Sequence, residues 1–140
     1  MAVAAISSYK WNDNRGAPGG KATLYVKWTC SDLGAVAQKI TELISGRAVN
    51  IVTNPGATAP TDNYDVTLVG EGARDVLNGA GLNRDTANTE DIPVIVEVGF
   101  PYAAPARYYA VHPVVNEAGL VLTIANAGDA KNGEVWIYFE

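Results

Sequence analysis

Hydrophobic residues in this chain alternate with polar ones far more often than they recur at helical spacing. From Lys21 to Cys30, Leu24, Val26, Trp28 and Cys30 fall on one face, and Tyr25, Lys27 and Thr29 fall on the other. Tyr64–Val69 repeats the pattern, with Tyr64, Val66 and Leu68 inward and Asp65 and Thr67 outward. Glu134–Glu140 places Val135, Ile137 and Phe139 on one face and Trp136 and Tyr138 on the other. Arg47–Thr53 reads as a strand with Val49 and Ile51 on one face and Ala48, Asn50 and Val52 on the other. Gly119–Asn126 is a further strand, and residues 91–98 read as a buried one after Pro93.

Ala35–Ser45 fits two templates. Val36, Ile40, Leu43 and Ile44 have helical spacing with Asp32 as a cap, whereas a strand puts Val36, Gln38, Ile40 and Glu42 on one face. Flanking strands favour the strand. Between these segments lie turns: Asn54–Asn63 with two prolines, Gly70-Glu71-Gly72, and Asp75–Gly79, where Asp75 caps a short turn that Gly79 ends. Phe100–Pro113, with Pro101, Pro105 and Pro113, reads as a long loop or irregular edge, and residues 127–133 read as a hairpin loop. The first 20 residues end in a loop-rich run, Trp11 to Gly20, and read as an extended N-terminal arm. The pattern predicts an all-β chain: a single β-sandwich or Greek-key-like domain of about seven strands over residues 21–140, preceded by the arm at 1–20.

Composition narrows the function classes. Charged residues make up 18%, below the usual quarter, and Gly, Thr, Asn and Ala take their place. A weakly charged surface repels neighbours less, which suits a protein that assembles. Net charge is −5 with no basic cluster, so a nucleic-acid partner is not expected. No apolar run reaches the roughly 18 residues of a helical membrane span, so no membrane partner is expected either. The apolar start, Met1 to Ile6, lacks a basic leader and does not read as a signal peptide. The single cysteine, Cys30, ends an apolar-facing strand and reads as a buried free thiol; His112, the only histidine, has no cysteine motif beside it.

No catalytic constellation stands out. Asp62, Asp65, Asp75, Asp85, Glu90 and Asp91 are close in sequence but form no preferred acid–base pair, and loop carboxylates are usually solvated. Residues 62–65 and 83–88 offer oxygens of the kind calcium takes, without matching a calcium-loop signature. Their simpler use is turn chemistry: Asp62 starts a strand, Asp75 caps, and Arg84 and Asp85 pin a loop. Gly70-x-Gly72 and Gly79-x-Gly81 lack the lysine and the βα setting of a phosphate loop. Ile6, Tyr9 and Trp11 in the arm, Tyr102, Tyr108 and Tyr109 in the loop, and Trp136 and Tyr138 on the last strand are candidate interface residues. Tyr25, Trp136 and Tyr138 suit either cross-strand pairing or sugar stacking.

Three runs, VTNPGATAPTDNYDVTL, DVLNGAGLNRDTANTE and LTIANAGDAKNGEVWIYF, resemble a group of small structural proteins of tailed-phage particles. Pro60, Thr61, Asp62, Tyr64, Asp65, Asp75, Leu77, Gly79, Asn83, Arg84, Asp85, Thr86, Asn88 and Glu90 carry the likeness, as do Asn126, Ala127, Gly128, Lys131 and Gly133. The resemblance covers residues 46–90 and 118–140. It implies an all-β virion protein with no enzymatic activity and no cofactor. A capsid decoration (cement) protein is the first expectation, on the capsid surface, with the major capsid protein and copies of itself as partners and a trimer as a common assembly. A head–tail connector or tail accessory protein, and a carbohydrate-binding adhesion module, are the alternatives. The first 20 residues and residues 97–115 exceed the group's pattern, which places individual contacts there.

Overall fold

The computed structural model describes the backbone of residues 4–100 and 107–140, with side chains described outside 98–109. Eleven strands are present among the described residues: β1 (Ile6–Asp13), β2 (Ala22–Thr29), β3 (Val36–Ile40), β4 (Ile44–Pro55), β5 (Asp65–Val69), β6 (Glu90–Pro93), β7 (Val96–Phe100), β8 (Arg107–Val111), β9 (Val114–Glu117), β10 (Leu120–Ala125) and β11 (Asn132–Phe139). All pairings are antiparallel. The larger sheet runs β1-β2-β11-β4-β6, with β9 also on β4; the smaller runs β3-β10-β5; β7 and β8 form a separate ribbon. The chain is a β-sandwich-like all-β fold, as its alternation predicts.

Burial follows that alternation. Leu24, Val26 and Trp28 of β2 and Val135, Ile137 and Phe139 of β11 meet Val66, Leu68, Leu120, Leu122 and Ile124 of the smaller sheet in one core cluster. Ala35–Ser45 resolves into β3, a tight turn and the start of β4. Val36 and Ile40 are buried, and Gln38 between them escapes the core by accepting a 2.7 Å hydrogen bond from the Ser7 hydroxyl. Cys30 is a buried free thiol that donates to the Gly128 carbonyl at 3.0 Å. Among the described residues, the short turn at Glu71–Ala73 is the only helical element.

Five expectations need correction. Residues 6–13 do not form an arm: they are the edge strand of the larger sheet, with Ile6 opposite Thr29 and Asp13 opposite Ala22. Tyr9 and Trp11 turn inward, Trp11 meeting the Phe139 ring edge-on at 5.4 Å. Arg15 fixes the following turn, bridging Asp13 at 2.7 Å and donating to the Ser45 carbonyl at 2.6 Å. Within residues 47–53 of β4 it is Ala48, Ile51 and Thr53 that are buried, because Tyr138 pairs with Asn50 but Phe139 pairs with Ala48. Val49 is thus the extra residue of a bulge, which re-phases the strand.

The 91–98 segment is two strands in different sheets, broken at Val94 and Ile95, and among residues 91–97 Val94 alone is fully buried. His112 holds the break, its Nδ1 lying 2.7 Å from the Val94 carbonyl. The long loop contains β8 and is followed at once by β9, so the strand count exceeds seven. Finally, β10 and β11 lie in different sheets, so residues 126–131 are a crossover rather than a hairpin loop.

Candidate functional site

The first place to look is the stretch that carries the most carboxylates, residues 54–90. Its second half lies along the outer edge of β5, where an unpaired strand would leave backbone groups bare. The Val66 N–H donates to the Gly81 carbonyl at 2.8 Å, and the Val76 N–H donates to the Leu68 carbonyl at 2.8 Å. Asp75 accepts from the Leu68 and Leu77 N–H groups at 3.1 Å each and, through its second oxygen, from Gly79 N–H at 3.1 Å. The loop therefore completes the smaller sheet. Gly81 is required by close approach: a Cβ there would lie 2.2 Å from the Val66 carbonyl oxygen.

Asp62, Asp65, Arg84, Asp85, Thr86 and Glu90 are also committed to their own chain, while the buried Tyr64 hydroxyl has no hydrogen-bond partner among the described residues. Asp65 accepts from Asn83 N–H at 3.0 Å and from the Asn126 amide at 2.8 Å. Asp85 accepts from the N–H groups of Ala87 and Asn88 at 2.6 and 3.0 Å, which with the Asn88 side chain holds its carboxyl below the usual range. Glu90 accepts from Asp85 N–H at 2.7 Å and faces Arg84 at 3.4 Å. Arg84 donates through two nitrogens to the Leu82 carbonyl. Asp62 accepts from Thr86 N–H at 3.4 Å, and the Thr86 hydroxyl donates to the Pro60 carbonyl. Thr61 N–H reaches the Ala127 carbonyl at 2.8 Å, so the two separated stretches meet in space. Beneath them the Tyr64 ring packs 5.8 Å from that of Trp28, and burial raises its hydroxyl above the ordinary range. Among the described residues, no three His, Cys, Asp or Glu side chains gather as metal ligands would.

The outer face of the larger sheet is arranged differently. The register sets Trp136 of β11 directly opposite Tyr25 of β2, with ring centroids 5.3 Å apart and planes tilted by 39°. Tyr138 follows on the same face, and Lys21 sits 6.0 Å over its ring. These rings are half-buried on the solvent side, at the middle of the sheet. They border a shallow depression of about 370 Å³ with Lys10, Asn12, Asn14, Thr23 and Glu134. The Tyr25 hydroxyl donates to Glu134, which keeps that phenol protonated above its usual range; the other Glu134 oxygen accepts from the Asn54 amide at 3.3 Å. Nearby, the hydrogen-bonded Arg15 side chain draws the Asp13 carboxyl down to about 2.

The sequence-derived candidates thus separate. Trp136 and Tyr138 come together on this face, while Tyr9 and Trp11 serve the inner side of β1 and Ile6 lies exposed on its outer side. Tyr102 lies outside the described residues; Tyr108 and Tyr109 are in β8, with side chains outside the description. Lys10, Asn12, Asn14 and Glu134 were not singled out from the sequence: strand register brings Lys10 and Asn12 beside the aromatics, whereas Glu134 shares the Trp136 and Tyr138 face of β11 by alternation alone. A second exposed group lies at the root of the ribbon: Ile95, Val111 and Val114 are 39%, 45% and 62% exposed. Ala110, Val111 and Val114 line a depression of about 390 Å³ there, with Arg47 and His112. No protein-family model, curated protein or solved structure matches the chain.

Proposed function

We propose that this chain is a non-enzymatic structural protein of a tailed-phage particle, seated on the capsid shell as a decoration protein beside the major capsid protein and copies of itself. One observation carries the reading. The carboxylates with the strongest claim to chemistry, Asp65, Asp75, Asp85 and Glu90, each accept backbone N–H groups of their own chain. They stiffen a scaffold, and all four are among the residues that resemble phage structural proteins. Function then falls to surfaces. The apolar root of the ribbon, with Ile95, Val111 and Val114, is the surface this reading assigns to the shell. Repeated over many subunits, a modest contact of this kind adds up to firm attachment.

The test is stoichiometry: the protein is quantified against the major capsid protein in purified particles. A decoration protein is present in numbers comparable to the shell subunits. A copy number matching a single ring would overturn this placement in favour of a connector or tail accessory protein.

A further inference from the structure

We propose that the outer face of the larger sheet is a binding site for a neutral polysaccharide, laid across Tyr25, Trp136 and Tyr138. The site does not depend on where the protein resides.

A sugar ring presents an apolar face of C–H groups and a rim of hydroxyls. It therefore needs flat apolar surface interleaved with groups that both donate and accept hydrogen bonds. The outer face offers that combination. Tyr25 and Trp136 lie side by side across two strands, 5.3 Å between centroids, and Tyr138 extends the line along β11. Asn12, Asn14 and Thr23 around them can each donate and accept; Lys10 donates and Glu134 accepts. Within the depression Lys10 and Glu134 balance, and Lys21 over the Tyr138 ring adds one positive charge at its edge, which makes an acidic polymer the necessary control. A protein partner is the weaker fit, because such interfaces keep charge out of their centres, and here Glu134 stands in the same row of β11 as Trp136 and Tyr138 and accepts from the Tyr25 hydroxyl. The site is also held in advance: Glu134 is fixed by Tyr25 and Asn54, and aromatic side chains have few rotamers to lose.

Affinity electrophoresis of the full chain tests this, with gels containing dextran, a mixed-linkage β-glucan or a galactomannan, and a gel containing alginate as the acidic control. The expected result is retardation by at least one neutral polymer and not by alginate. Trp136→Ala should weaken it by about tenfold or more with the melting temperature nearly unchanged. Should Trp136→Ala fail to fold, the exposed edge-strand pair Lys10→Ala with Asn12→Ala serves instead and should also weaken retardation. No retardation by any neutral polymer overturns the proposal. So does retardation that these folded variants leave intact, or equal retardation by alginate. None of these results bears on the copy number in particles, so the two readings fail separately.

Discussion

The loop over β5 and the outer face of the larger sheet are both rich in polar side chains, yet they use them in opposite ways. In and beside the loop, Asp65 of β5, Asp75, Arg84, Asp85 and Glu90 of β6 all bond to backbone or to one another. On the sheet, Lys10, Asn12 and the rings of Trp136 and Tyr138 stand at the solvent side of a regular ladder that is already complete without them. Polar residues that satisfy buried or edge backbone groups are structural, because leaving those groups unmade costs more than the bond itself contributes. Polar residues beside aromatics on a finished sheet have no such duty. A cluster of acids in a sequence therefore says little about chemistry until its hydrogen-bond partners are known.

That contrast can be broken in order of expected effect. Gly81→Ala should be the most damaging, since its Cβ would meet the Val66 backbone at 2.2 Å and push the loop off β5. We expect a loss of about 3 kcal/mol in urea denaturation. A neutral result would show that the loop is not seated as described. Asp75→Ala removes an acceptor for three backbone donors. It should cost about 2–3 kcal/mol, or roughly 7–10 °C in Tm by calorimetry.

Trp136→Ala removes cross-strand pairs with Tyr25 and Val52 and should cost about 1 kcal/mol. A loss as large as that of Asp75→Ala would make the outer aromatics part of the scaffold. The smallest effect is on acid tolerance. The Ala87 N–H, then the Asn88 side chain and backbone, depress the folded-state pKa of Asp85. Its contribution is present above the unfolded value, about 4, and is lost as pH falls through the lower folded value. Asp85→Asn should therefore flatten the acid limb of a Tm-against-pH curve slightly, and an unchanged limb would show the carboxylate to be idle.

Much of this was legible in the sequence. The period-two pattern placed β2, β5 and β11 and assigned their inward faces, because each is buried on one side and solvated on the other. The same pattern marked Trp136 and Tyr138 as outward. What was missed depends on pairing between distant segments. The bulge at Val49 reverses a face through one extra residue that composition does not reveal. Residues 1–20 read as an arm because Trp11–Gly20 is loop-like in composition, although Ser7, Tyr9 and Trp11 share one face of β1. The crossover at 126–131 resembles a hairpin turn because its glycine and asparagine adopt the same positive φ, 86° at Gly128 and 58° at Asn126. The candidate site was half legible: Trp136 and Tyr138 alternate along one strand, but Tyr25 and Thr23 come from β2 and Lys10 and Asn12 from β1, with Lys10 126 residues before Trp136 in the chain.

The central claim is that the loop supports the fold while binding occurs elsewhere, and Arg84→Ala tests it most directly. Arg84 ties the Leu82 carbonyl to Glu90 and touches neither proposed surface. Rebinding of this variant to particles stripped of the protein, read beside its melting temperature, should give a lowered Tm with binding retained below it. Lost binding at an unchanged Tm would contradict the account and make the loop an interface.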